Sequence, residues 1–171
     1  IQIGRDEYNL CSYVVNCSFI NNGAIGRNLN NSHGGAGCVR AGIIYQNCKF
    51  INNSAGQGGA LTYHASGSIE DCVFINNSAK LYGGALSTGY IDGDMELIVV
   101  NCNFEQNNAP YGGAVQLKGK NIEIHKSIFN KNIAAINGGA INIIAKTVTV
   151  DDVEFNKNIA NVNGGAIYIN G

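Results

Sequence analysis

The chain has 171 residues, of which 45% are hydrophobic and 13% are charged, and its formal net charge is −1. This length and composition fit one domain with its own core. The near-neutral charge excludes a protein that binds nucleic acid or an anionic membrane through a basic surface. The apolar runs are too short for a transmembrane helix, and 23 glycines and 26 asparagines beside one proline disfavour helices in general.

Two sequence motifs alternate along the whole chain, each occurring six times at steps of about 25 residues. A fixed period of this size is the signature of a repeat architecture. We therefore predict one domain over residues 1–171 that is part, or one subunit, of a longer repeat assembly. The motif Phe-x-x-Asn-x-Ala begins at Phe19, Phe50, Phe74, Phe104, Phe129 and Phe155, and Gly-Gly-Ala ends at Ala36, Ala60, Ala85, Ala114, Ala140 and Ala166.

Each repeat predicts three short strands. The residues after Gly-Gly-Ala alternate between apolar and polar, as in Leu61-Thr62-Tyr63, which is the period of a strand with one buried face. A second apolar run ends five residues before each Phe, and the third strand contains the Phe itself. The Asn of Phe-x-x-Asn is expected at a left-handed bend, where its amide can also bond the Asn of the next repeat. A further bend is predicted at the polar residue three before each Phe: Asn16, Asn47, Asp71, Asn101, Lys126 and Asp152.

Three strands joined by Gly- and Asn-rich bends make one coil of an all-β, parallel β-helix, or β-solenoid. Identical positions of about six coils of ~25 residues then stack at the strand spacing, to a height of roughly 30 Å. Phe and aliphatic ladders fill the interior, and Gly-Gly-Ala lies where the backbone turns tightly or approaches another segment.

The paired motifs resemble the repeats of chlamydial polymorphic outer membrane proteins and, equally, those of adhesin-like surface proteins of methanogenic archaea. The segments 101–104 (Asn-Cys-Asn-Phe) and 137–142 (Asn-Gly-Gly-Ala-Ile-Asn) carry the likeness, which extends from about residue 11 to 171. The resemblance implies a right-handed, single-stranded parallel β-helix that is extracellular or on a cell surface and has an adhesive or structural role.

Four of the six cysteines occupy one repeat position, two residues before the Phe. Ser127 and Val153 stand there in the last two repeats, so a small buried position and an interior thiol ladder are the simplest interpretation. Disulfides between neighbouring coils are an alternative, whereas the spacing does not favour a metal site. Cys11 and Cys38 fall at other positions, which we expect to face outward. The four ladder residues are Cys17, Cys48, Cys72 and Cys102.

Other polar residues are candidates for calcium binding, catalysis or glycosylation. Asp92, Asp94 and Glu96 lie in an expanded loop that could hold Ca²⁺, although a solvated turn is the simpler interpretation. The pair Asp151-Asp152 could be catalytic in a polysaccharide-degrading β-helix, but Asp152 falls at a bend. Glycosylation sequons begin at Asn16, Asn30, Asn52 and Asn76, and an Asn-rich sequence also produces such sequons by chance.

Three basic residues, Arg40, His64 and Lys118, share an outward column that Gly89 interrupts, which favours a solvated face. His33 lies in an insertion and His125 at a bend. No catalytic, cofactor-binding or metal-binding residue is assigned.

We therefore expect a non-catalytic cell-surface β-solenoid that acts as an adhesin or as a structural stalk or filament component. Its expected partners are a cell-surface protein or glycan, together with end-to-end contacts to further repeats or subunits through residues 155–171. The alternative is a carbohydrate-binding or polysaccharide-degrading β-helix. Such enzymes usually build a groove from long loops, and here the sizeable insertions are residues 23–33 and 89–96.

Overall fold

The computed structural model describes residues 12–26, 28, 32–89 and 95–170. Within these ranges the regular secondary structure consists of β-strands, which pair in parallel and form three sheets. The chain winds as a β-solenoid, and the predicted all-β parallel β-helix is confirmed.

The first sheet has six strands, each carrying one Phe motif, so five complete turns separate its first strand from its last. Phe pairs with Phe at every step, for example Phe74 with Phe104. The strands are β2 (Ser18–Ile20), β5 (Lys49–Ile51), β9 (Val73–Ile75), β13 (Asn103–Glu105), β16 (Ile128–Asn130) and β19 (Glu154–Asn156).

The second sheet follows each Phe strand and contains the motif Ala. Its register shifts at a β-bulge near the end of the strands, as between Ala79 and Tyr82. Its strands are β6 (Ser54–Gln57), β10 (Ser78–Tyr82), β14 (Asn108–Tyr111), β17 (Ile133–Asn137) and β20 (Ile159–Ala160).

The third sheet has ten strands and contains both remaining runs of each repeat. In two coils these runs merge into one 11-residue strand where short strands were expected. The strands are β1 (Ser12–Val15), β3 (Gly37–Val39), β4 (Ile43–Gln46), β7 (Leu61–Tyr63), β8 (Gly67–Glu70), β11 (Leu86–Thr88), β12 (Glu96–Val100), β15 (Val115–His125), β18 (Ile141–Asp151) and β21 (Ile167–Ile169).

Left-handed residues form the corners of each coil. The predicted bend three residues before each Phe is confirmed, with φ of 54° at Asp71 and 53° at Asn101. The second corner lies two residues after the Phe, as at Asn76 (φ 55°) and Gln106 (φ 55°). The prediction that the Asn of Phe-x-x-Asn takes this conformation was therefore wrong by one residue, because that Asn turns its side chain into the coil.

The Gly-Gly-Ala motif forms the third corner. Gly83 is left-handed (φ 56°), a conformation that costs glycine little. A Cβ atom on Gly84 would lie 2.1 Å from the carbonyl oxygen of Gly113 and 2.5 Å from the backbone nitrogen of Asn108. The second glycine is thus required because two backbone segments touch there.

The interior is a stack of identical layers. The rings of Phe50, Phe74, Phe104 and Phe129 are fully buried and lie one above another, with successive centroids 4.7 Å apart and planes within 5°. Aliphatic side chains of the third sheet pack against them. This column is the core predicted from the Phe motif.

Candidate functional surface

The repeated asparagine forms a ladder inside the coil. Asn53, Asn77, Asn107 and Asn132 are fully buried. Nδ2 of Asn77 donates to the Phe50 carbonyl at 2.9 Å and to Oδ1 of Asn107 at 3.0 Å. The predicted hydrogen bonding from one asparagine to the next is confirmed. The donors and acceptors of these buried amides are all used within the ladder, so their role is structural.

The cysteine ladder is also interior. Cys48, Cys72 and Cys102 are buried, and the backbone N–H of Cys48 donates to Sγ of Cys72 at 3.4 Å. The thiols of these three residues, of Cys17 and of Cys38 are all free, so the alternative of disulfides between coils is not realised among them. Burial raises the pKa of Cys48, and it raises that of Cys102 well above the ordinary thiol value. The thiols of Cys48 and Cys102 are therefore poor nucleophiles, whereas hydrogen bonding with the Cys102 thiol lowers the pKa of Cys72.

The outward position of Cys38 is confirmed, since its side chain is exposed. Cys11 lies outside the described residues. Ser127 continues the ladder in the next coil, where its Oγ accepts the backbone N–H of Cys102 at 3.1 Å.

Exposed asparagines mark the corners of the first sheet. Nδ2 of Asn47 donates to Oδ1 of Asn16, and Nδ2 of Asn76 donates to Oδ1 of Asn52, each at 2.7 Å. The sequon residues Asn16, Asn52 and Asn76 thus lie on the surface at left-handed corners. The fourth, Asn30, lies outside the described residues.

The aspartates that were considered as a catalytic pair lie at the end of β18 and at the corner that follows it. Asp151 and Asp152 are both exposed, and Asp152 is a left-handed corner. His125 lies 3.3 Å from a carboxylate oxygen of Glu123 and 3.8 Å from one of Asp151; His125 and Glu123 are half-buried and Asp151 is exposed.

The loop that was considered for Ca²⁺ is described only in part. Asp92 and Asp94 lie outside the described residues, and Glu96 begins β12. Across the described ranges, no group of three or more His, Cys, Asp or Glu side chains is placed to hold a metal ion.

The basic column is more enclosed than the sequence indicated. The imidazole of His64 covers Gly89, where an added Cβ would lie 1.9 Å from Cε1 of His64. The His33 ring meets His64 edge to face at 5.0 Å. Burial, helped by His33 and Arg40, lowers the pKa of His64, which is therefore neutral at pH 7. Arg40 is exposed and Lys118 half-buried, so the column is a solvated face only in part.

A surface that the sequence did not reveal lies beside the Gly-Gly-Ala corners of three successive coils. We call it the Tyr–amide face, and it consists of Tyr82, Tyr111, Asn137, Gln116 and Asn142. Tyr82 pairs in register with Tyr111, and Tyr111 with Asn137. The two rings are half-buried, with centroids 5.6 Å apart and an interplanar angle of 39°.

The amides of this face come from the neighbouring strand. Gln116 and Asn142 pair in register on β15 and β18. An added Cβ on Gly112, the residue after Tyr111, would lie 3.0 Å from the backbone nitrogen of Gln116, so the backbones that carry the two columns are adjacent. Asn142 is 5% exposed, and its Oδ1 is buried with no hydrogen-bond partner. The sequence does not reveal this face, because its tyrosines lie outside both motifs and follow β-bulges.

Comparison with known proteins identifies the repeat. No curated protein and no solved structure matches the chain significantly. In the described residues, no helix is long and apolar enough to cross a membrane. The Chlamydia polymorphic membrane protein repeat matches residues 71–89 and 152–170. Each match begins at a left-handed corner, Asp71 or Asp152, and ends four residues after the motif Ala. Two coils of the chain therefore match the Chlamydia polymorphic membrane protein repeat, and the other coils share their Phe and Gly-Gly-Ala motifs.

Proposed function

We propose that the chain is a non-catalytic β-solenoid displayed on a cell surface, where it acts as an adhesive or structural rod. The observation that carries the proposal is the match of two coils to the Chlamydia polymorphic membrane protein repeat. That family is named for membrane proteins that vary, which suits a surface-exposed repeat protein.

The distribution of polar groups supports a non-catalytic role. The buried amides and thiols bond one another from coil to coil, as Asn77 bonds Asn107. A solenoid of this kind offers long, regular outer surfaces, which repeat proteins use for binding.

Display on beads tests adhesion. Polystyrene beads coated with the purified chain are applied to cultured epithelial monolayers and counted after washing. Beads coated at equal density with albumin are the control. We expect several-fold more solenoid beads to remain, and equal retention would contradict the adhesive role.

Two further measurements test the location and the lack of catalysis. Protease treatment of intact source cells, followed by an antibody against the chain, should remove the signal, and full protection until lysis would contradict surface display. Incubation with a polysaccharide panel should release no reducing or unsaturated sugar ends. Release that rises in proportion to protein concentration would overturn the non-catalytic assignment.

A further inference from the structure

We propose that the Tyr–amide face binds a neutral, extended, β-linked polysaccharide whose chain runs parallel to the solenoid axis. The inference rests on the proposed adhesive function and adds to it the position of the binding surface and the chemistry of the partner.

The tyrosines supply the stacking surface. Tyr82 and Tyr111 lie in adjacent coils with ring centroids 5.6 Å apart, and both rings are partly exposed. The aromatic face carries partial negative charge, which attracts the C–H groups on the face of a pyranose ring. Coils repeat at the strand spacing of about 4.8 Å, which is close to the length of one sugar unit in an extended β-linked chain. Successive sugars can therefore meet successive coils without bending.

The amides supply hydrogen bonds beside the rings. Ile141 and Ile143 face the core, so strand alternation turns Asn142 to the opposite side, in register with Gln116. Oδ1 of Asn142 is buried without a hydrogen-bond partner, a state that costs free energy and is uncommon in folded proteins. A sugar hydroxyl laid against the amide column would be a donor for this oxygen once the Asn142 side chain turns outward.

The charge of the face selects a neutral sugar. Its five residues are uncharged at neutral pH, and amides and hydroxyls match the hydroxyl groups of a neutral glycan. Carboxylates lie on another part of the third sheet, at Glu123 and Asp151. The five residues of the face include no cation that could pair with the acidic groups of a uronate or sulfated chain.

Isothermal titration calorimetry of the full chain with cellohexaose and chitohexaose tests the proposal, with heparin as the anionic comparison. We expect binding of at least one neutral hexasaccharide, and weakening by about tenfold in Tyr82→Ala and in Tyr111→Ala. Tyr111→Phe keeps the ring and should bind within about twofold of the parent. Tyr13→Ala is the matched control, because Tyr13 is an exposed tyrosine on β1, outside the face, and this variant should bind like the parent.

A second measurement avoids substitutions that remove the ring. In the 3-fluorotyrosine-labelled chain, the hexasaccharide should shift the ¹⁹F resonances of Tyr82 and Tyr111, which the variants Tyr82→Phe and Tyr111→Phe assign. Shifts at other tyrosines only, binding to heparin alone, or binding that both alanine variants retain would overturn the proposal. Absence of binding to all three sugars would overturn it too, and if the coated beads still adhered, a protein partner would be indicated and the adhesive function would stand.

Discussion

Oδ1 of Asn107 accepts two hydrogen bonds from Asn77, one from the backbone N–H at 2.9 Å and one from Nδ2 at 3.0 Å. Nδ2 of Asn107 in turn donates to the Phe74 carbonyl and to Oδ1 of Asn132, each at 3.0 Å. The side chain thus makes the four hydrogen bonds that a carboxamide can make. It ties three successive coils together at a fully buried point.

Replacing Asn107 with Ala should lower the free energy of unfolding by at least about 3 kcal/mol, because it leaves buried donors on Asn77 and buried acceptors without partners. The exposed neighbour Asn108 is the control, and Asn108→Ala should change stability by less than about 0.5 kcal/mol. Urea unfolding followed by circular dichroism measures both. Similar losses in the two variants would show that the ladder contributes little.

The phenylalanine stack gives a graded prediction. Phe104→Ala should cost about 3–5 kcal/mol, as for other large-to-small changes at buried aromatics. Phe155 is only partly buried, and its ring stacks less closely on Phe129, with centroids 5.3 Å apart. Phe155→Ala should therefore cost clearly less. A loss below about 1 kcal/mol for Phe104→Ala would be incompatible with the observed column.

The second glycine of Gly-Gly-Ala should not accept a side chain. In Gly84→Ala the new Cβ would overlap the backbone of the adjacent coil, and we expect a loss of about 3 kcal/mol or aggregation on expression. Gly23→Ala is the control, since its Cβ would come no closer than 3.4 Å to another heavy atom, Oγ of Ser54. Thermal melting compares the two, and equal melting temperatures would argue against the close approach.

The thiols should separate into two kinetic classes. Cys38 is exposed and should react with a maleimide within minutes, whereas Cys48 and Cys102 should react only as the chain unfolds. Burial raises the pKa of Cys48 and of Cys102, so raising the pH from 7 to 9 should accelerate the labelling of these two thiols only slightly while the chain stays folded. Peptide mass mapping after timed quenching identifies the sites. Rapid labelling of Cys48 or Cys102 in the folded chain would contradict the inward orientation.

Raised pKa values also predict the direction of the pH dependence. An interior thiol that stays protonated stabilises the fold fully below the ordinary thiol pKa of about 8.5, and this contribution is lost as the pH rises above it. The free energy of unfolding should thus fall under alkaline conditions, and Cys102 should become accessible to the maleimide as the chain unfolds.

Repetition is the reason that much of this fold is readable from the sequence. Phe104 and Gly84 recur at equivalent positions in every coil, so the pattern fixes both the stack and the corner. The position of Asn107 was harder to predict, because an asparagine favours left-handed corners as readily as amide ladders. In the structure, Gln106 takes the corner and Asn107 the interior.

The Tyr–amide face escaped prediction for a different reason. Tyr82 and Tyr111 follow a bulge, where the two-residue alternation that assigns side chains to faces is interrupted. Nor does the sequence reveal that Asn142 has a buried oxygen without a partner, because that depends on how neighbouring coils cover it.

The Asn107 arrangement has one more consequence, for how such a protein changes length over evolutionary time. Each asparagine bonds the same kind of residue above and below, so a duplicated or deleted coil would join surfaces that already match. The gene can then gain or lose whole coils in single events, and each event would move whatever the rod presents by about 4.8 Å. Reach becomes a quantity that selection can adjust in equal steps, independently of the chemistry of the outer face.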